Sequence, residues 1–238
     1  MNELKIGIVV ADDEEYKPLA TTIEKGQYES YNFLGRRGHK FFITTEKGRA
    51  EVYSILCGIG KVNAATVAAH FATIGCNIIL NYGLSGGISG VSKNDLVLCT
   101  GFLEHDFDLT GIGYKPCEKP NQEYVYSSSE ELNNIFKKIV PNIKGGTAVC
   151  GDRFICDKET RDFFKNNYNA TSCDMETAAI AYVCAFGDIP FLALRRISDD
   201  AGDDAYESYT EMNNLAESVL SDLILVFIKE IINSGFKA

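Results

Sequence analysis

The chain has 238 residues, 45% of them hydrophobic, and a formal net charge of −10 at pH 7. That apolar share is ample for a buried core, and no Pro/Ser-rich linker divides the chain, so one large α/β domain over 1–238 is expected. The acidic balance, relieved only by the short basic run from Arg36 to Lys40, excludes nucleic acid and anionic membranes as expected partners.

Lys5 to Ala11 (KIGIVVA) is a continuous apolar run and reads as a central strand. It is too short for a signal peptide or a membrane span, and no later run approaches about 18 residues, so a cytoplasmic protein is expected. Asp12 to Glu15 follow, and then a helical spacing through Leu19 and Ile23 up to Gly26. Four acids at a strand-to-helix junction suit a helix N-terminus. They would also repel a phosphate, and the Gly-rich phosphate loop of a dinucleotide-binding fold is absent here.

Phe33 to Phe42 and Arg49 to Cys57 read as antiparallel strands joined by the turn Glu46-Lys47-Gly48. Gly58-Ile59-Gly60-Lys61 then opens an alanine-rich helix from about Val62 to Ile74. A buried strand, Ile78 to Tyr82, runs into Gly83-Leu84-Ser85-Gly86-Gly87. Glycines clustered directly after a buried strand let a ligand or another backbone approach closely, although a tight turn also uses them. Asp95 to Phe102 is a further strand, and the stretch from Gly111 to Tyr124 reads as a loop. A helix from Ser129 to Val140, a strand near Thr147 to Cys150 and a charged helix from about Lys158 to Asn166 come next.

Asp174, Met175 and Glu176 are expected to open a helix rich in alanine, with Glu176 in its first turn. Phe191 to Asp199 (FLALRRISD) reads as a parallel strand with Ser198 and Asp199 at its carboxyl end, the edge where open α/β sheets bind ligands. Glu176 and Asp199 brought to one cleft suit acid–base or sugar-hydroxyl chemistry; a helix cap plus a solvated strand end explains the same residues. Asp200 to Tyr209 reads as an acidic loop, and Thr210 to Asn233 as a closing amphipathic helix. Strands alternating with helices predict a mostly parallel, twisted sheet covered on both faces. The eight cysteines show no C-x-x-C spacing and read as reduced, mostly buried residues. The three histidines, at 39, 70 and 105, lack the spacing of a metal motif, so neither a metal site nor a cofactor is expected.

With these pieces placed, the chain resembles the 5′-methylthioadenosine/S-adenosylhomocysteine nucleosidases of the nucleoside phosphorylase superfamily. The marks are KIGIVVADDEE, CGIGKVNAA, NYGLSGG, HDFDLT, GDRFICD, DMETAAIAYVC and RRISD, in that order along nearly the whole chain. The resemblance implies a single-domain αβα sandwich, a homodimer, a small-molecule nucleoside substrate and a place in methionine salvage. It implies hydrolysis of an N-ribosidic bond with release of adenine. Carried over by position, Glu15 matches the carboxylate that activates water, and Arg195 an arginine near that water. Met175 and Glu176 match the pair under the ribose and at its 2′- and 3′-hydroxyls. Phe154 matches a ring stacked near adenine, whose edge the Ile155 backbone would read. Asp199, with Ser198 beside it, matches the acid at adenine N7 and N6. Gly86 belongs to the Gly-rich turn at the site. Tyr209 and, from a neighbouring subunit, Pro120 match positions lining the pocket for the 5′ substituent.

The residue types suit the reaction. N-ribosidic cleavage passes through an oxocarbenium-like sugar and uses one carboxylate to take a proton and another to give one. Asp12, Leu84 and Ile112 depart from the family pattern and leave the 5′-substituent preference open, including a polar or charged 5′ group. Two alternatives stand beside this reading: a phosphate-dependent nucleoside phosphorylase, for which Arg49 is a weak anion-binding candidate, and a non-catalytic nucleoside-binding protein on the same fold.

Overall fold

The computed structural model describes residues 4–237; residues 1–3 and 238 of the expected domain lie outside the described residues. In chain order the elements are β1 (Leu4–Val10), α1 (Asp13–Ile23), β2 (Tyr28–Phe33), β3 (Arg36–Thr45), β4 (Gly48–Leu56), α2 (Lys61–Thr73), β5 (Ile78–Gly87) and β6 (Leu96–Glu104). They continue with β7 (Val125–Ser127), α3 (Glu130–Ile139), β8 (Lys144–Cys150), α4 (Lys158–Tyr168), β9 (Ala170–Asp174), α5 (Thr177–Phe186), β10 (Phe191–Asp199), α6 (Ala205–Asn214) and α7 (Val219–Ser234).

One sheet organises the molecule. Parallel pairing runs through β4, β1, β5 and β10, and again through β6, β8 and β9. Antiparallel pairs join these two groups, with β10 against β6 and the last residues of β5, Gly86 and Gly87, against Cys173 and Ser172 of β9. The strands β5, β10, β6, β8 and β9 therefore close into a ring, from which β1, β4, β3 and β2 extend as an open sheet. Alternation along the strands divides the core. Ile6, Ile8 and Val10 of β1 face α1, α3 and α7, whereas Val9 faces α2 and α5. Helices thus cover both faces, as the αβα expectation requires. Each fully buried Ile, Leu or Phe contributes about 1.5–3 kcal/mol. Gly7 has a specific reason to be glycine: a Cβ there would lie 2.4 Å from the ring of Phe71 on α2.

Several boundaries differ from the sequence reading. The strand expected over Phe33 to Phe42 is broken by a tight turn at Leu34-Gly35, both with positive φ, which pairs β2 with β3 as a hairpin. The helix expected to open at Asp174 begins at Thr177, because Asp174 is the last residue of β9. The acidic loop expected over Asp200 to Tyr209 gives way to α6 from Ala205, and the closing helix is two helices parted by residues 215–218. The stretch Gly111 to Tyr124 holds only one short turn of 3-10 helix, Thr110–Ile112, at its start. All eight cysteines are free thiols, and only Cys156 is exposed. Among the described residues no helix is long and apolar enough to cross a membrane.

Candidate active site

The carboxyl ends of β1, β5 and β10, the β9–α5 junction and the loop after β8 converge on a cavity of about 160 Å³. Its wall includes Glu15, Gly86, Phe154, Ile155, Met175, Glu176, Ser198, Asp199 and Tyr209, so nine of the sequence-derived site residues meet at one place. Arg195 sits behind the wall, 1% exposed. Pro120 lies outside the cavity, in the stretch before β7.

Glu15 lies in the first turn of α1, for which Asp12 is the cap, accepting the Glu14 N–H at 2.8 Å. The Glu15 carboxylate turns inward and accepts the Leu84 N–H at 2.6 Å, where β5 passes beneath it. A Cβ on Gly83 would stand 2.4 Å from Arg195 Nη1 and 2.9 Å from both Glu15 carboxylate oxygens, so this glycine leaves the room those charges occupy. Burial pushes the Glu15 carboxyl up to about 8, against the opposing pull of the Leu84 N–H and Arg195.

Glu176 stands just before α5 rather than in its first turn. Asp174 takes the capping role instead, its Oδ1 accepting from the N–H groups of Glu176 and Thr177 at 2.8 Å each and its Oδ2 from the Thr177 hydroxyl at 2.6 Å. This frees the Glu176 side chain, which accepts the Gly60 N–H at 3.0 Å at the start of α2. The helix charge expected to favour Glu176 is therefore that of α2. Burial raises its pKa, with Arg195 opposing and Asp174 reinforcing the shift.

Arg195 ties these acids together. Its Nη2 donates to Asn81 Oδ1 at 2.7 Å and lies 3.5 Å from Asp174 Oδ1 and 3.8 Å from Glu176 Oε2. Asn81 in turn donates to the Val9 carbonyl at 2.9 Å. The sequence reading missed Asn81 and Asp174, although a lone amide inside the apolar run IILNYG signals a buried polar partner.

Asp199 closes the opposite side of the cavity. The Ser198 hydroxyl donates to its Oδ2 at 2.7 Å and the Ala201 N–H to its Oδ1 at 2.8 Å, with Ala201 itself at φ +53°. Burial raises its pKa, opposed by those two hydrogen bonds. A Cβ on Gly86 would come within 2.9 Å of Asp199 Oδ1, so the glycine gives this carboxylate its place. Phe154 meets Tyr209 edge-on at 5.8 Å at the mouth. Of the departing residues, Asp12 and Leu84 line the cavity, whereas Ile112 is 71% exposed and outside it. Arg49 stacks its guanidinium on the Phe42 ring at 3.4 Å and takes no part in the wall.

Residues 5–230 match the model of the phosphorylase superfamily. The 5′-methylthioadenosine/S-adenosylhomocysteine nucleosidase of Staphylococcus carnosus is 30% identical over 233 residues, covering 95% of this chain and 100% of the relative. The aminodeoxyfutalosine nucleosidase of Campylobacter jejuni is 27% identical over 228 residues, covering 93% of this chain and 97% of that one. In structure, the 5′-methylthioadenosine/S-adenosylhomocysteine nucleosidase of Helicobacter pylori superposes with a TM-score of 0.89 at 26% identity, over 97% of this chain and 100% of that chain. With sequence and fold matched along nearly its whole length, the chain belongs to the phosphorylase superfamily and, within it, to the 5′-methylthioadenosine/S-adenosylhomocysteine nucleosidases.

Proposed function

We propose that the protein hydrolyses the N-ribosidic bond of a 5′-substituted adenosine, releasing adenine and the 5′-substituted ribose. The observation that carries this reading is the convergence of Glu15, Glu176 and Asp199 on one cavity, each with a different hydrogen-bonding environment. Glu15, when ionised, takes a proton from the attacking water as the C1′–N9 bond breaks. Asp199, whose pKa burial raises, gives its proton to N7 of the leaving base. Glu176 accepts hydrogen bonds from the ribose hydroxyls, which strengthen as positive charge develops on the sugar, and Met175 packs beneath the ring. Phe154 stacks on the base, the Ile155 backbone and Ser198 border its edge, and Gly86 keeps the floor free of side chain. Arg195 orients Glu176 from behind, within 3.8 Å.

Water rather than phosphate is the nucleophile in this reading. Among the lining residues the only cation is Arg153, which pairs with Asp157 at 2.9 Å. A phosphoryl anion brought beside Glu15 would meet Asp12 and Glu176 with no free arginine to receive it. We further read the enzyme as a cytoplasmic homodimer serving methionine salvage, with Pro120 offered to the neighbouring subunit's 5′ pocket. The test is adenine release from 5′-methylthioadenosine with and without phosphate. Equal rates and free 5-methylthioribose support hydrolysis; a large phosphate-dependent rise with a ribose 1-phosphate product overturns it.

A further inference from the structure

Five carboxylates border the cavity: Asp12, Glu15, Asp174, Glu176 and Asp199. Three belong to the proposed reaction, and Asp174 commits both oxygens to Glu176 and Thr177. Asp12 is left. Its Oδ1 accepts from the Glu14 N–H at 2.8 Å and from Asn213 Nδ2 at 3.1 Å, while among the described residues no hydrogen bond or ion pair engages its Oδ2. Asn213 comes from α6 and fixes the orientation of this carboxylate across 201 positions of sequence. Beside it Tyr209, also on α6, has its phenol proton held more tightly through burial and through the negative charges of Glu15 and Asp12.

The nucleoside's parts leave one assignment for this corner. The base lies at Asp199 and Phe154, the ribose hydroxyls at Glu176 and the water at Glu15. What remains of the substrate is its 5′ substituent, and Asp12 is the one carboxylate of the wall with no part in the reaction or in the cap made by Asp174. Ile59, Tyr209 and Arg153, the last paired with Asp157, are among the other lining residues left over. We infer that Asp12 is a specificity residue that selects 5′-substituted adenosines whose 5′ group carries a protonated amine over those with a neutral thioether. This inference rests on the nucleosidase reading. A thioether seated against Asp12 removes water from the carboxylate and returns no hydrogen bond. A protonated amine returns a charge-assisted N–H···O bond.

The test uses two substrates that differ at one heavy atom, 5′-methylthioadenosine and 5′-deoxy-5′-(methylamino)adenosine, compared by kcat/KM for adenine release at neutral pH. An ammonium at C5′ also disfavours positive charge on the adjacent sugar in any protein. The diagnostic is therefore the change in the amine-to-thioether ratio between the wild type and Asp12→Asn. Asparagine caps a helix as well as aspartate does, so α1 is preserved. The ratio is expected to fall roughly 10- to 100-fold, the worth of one hydrogen bond to a charged group. Asp12→Ser repeats the measurement with another capping residue, and circular dichroism identifies the folded variants. An unchanged ratio in either folded variant overturns the assignment of Asp12 while leaving the nucleosidase reading intact. Adenine released from neither substrate by the wild type overturns the nucleosidase reading and this inference with it.

Discussion

At the Glu15 end of the cavity, three carboxylates from α1, β9 and the segment before α5 surround one buried guanidinium, whereas at the Asp199 end a single carboxylate is held by its own neighbours in sequence. Arg195 lies within 3.8 Å of Asp174 and Glu176 and, with Glu15, occupies the space a side chain at Gly83 would take. Asp199 takes its hydrogen bonds from Ser198 and Ala201, one and two residues away. The first arrangement is non-local, so a change in one member is felt by all. The second is local, so its chemistry can be altered with little effect on the fold. A general acid can sit in the second kind of place without placing the stability of the molecule at risk.

The sharpest way to break this contrast is Asp199→Asn. The amide keeps an acceptor for the Ala201 N–H but cannot protonate the base. Adenine release should fall by roughly 10²–10⁴-fold with little change in melting temperature. The loss should shrink on a nitrophenyl riboside carrying the same 5′ group, whose leaving group needs no proton. Equal, large losses on both substrates would show that Asp199 holds the site together instead.

Arg195→Met probes the other end. Removing the guanidinium leaves buried carboxylates without their partner, for an expected destabilisation of about 3–5 kcal/mol in urea unfolding. A loss well below that would mean the acids do not depend on it. Glu176→Gln should lower kcat by roughly 10²–10³ and leave KM nearly unchanged, because its hydrogen bonds matter most as the sugar becomes cationic. A variant with only a raised KM would remove that role.

The smallest effect is read against pH. Glu15 is pushed from the ordinary 4.5 to about 8 in the folded protein. Between those values the folded state holds a proton that the unfolded chain has released. The stability Glu15 contributes is therefore complete below about 4.5 and is lost as pH rises toward 8. Glu15→Gln, expected to be inactive under the proposed mechanism, should gain melting temperature relative to the wild type as pH is raised across that window. A difference that stays flat, or runs the other way, would place Glu15 in a solvated rather than an enclosed setting.

Much of this was legible before the structure. The apolar runs of β1, β5 and β10 and the alanine spacing of α2 and α5 announce themselves, and the acids at their ends fall where α/β folds bind ligands. What stayed hidden has physical causes. β2 (YESYNF) is an exposed edge strand whose polar residues carry no burial signal. β9 is five residues long and runs directly into the β9–α5 junction, so its last residue, Asp174, looks like a helix start. α6 (AYESYTEMNN) follows an acidic run and lacks a continuous apolar face, so it reads as loop. Asn81 and Gly83 take their importance from Arg195, more than a hundred residues away, a distance no local pattern spans.

The closed ring of β5, β10, β6, β8 and β9 has a consequence for how the molecule opens. A strand in a ring has a neighbour on each side, so no member can peel away without breaking two ladders. The hairpin of β2 and β3, by contrast, ends in a free edge at β2. Amide protons along β5 and β10 should therefore exchange with deuterium only through global unfolding, whereas those of β2 exchange through local fraying. The floor beneath Glu15 and Asp199 is then expected among the slowly exchanging strands, with the lability left to the far end of the sheet.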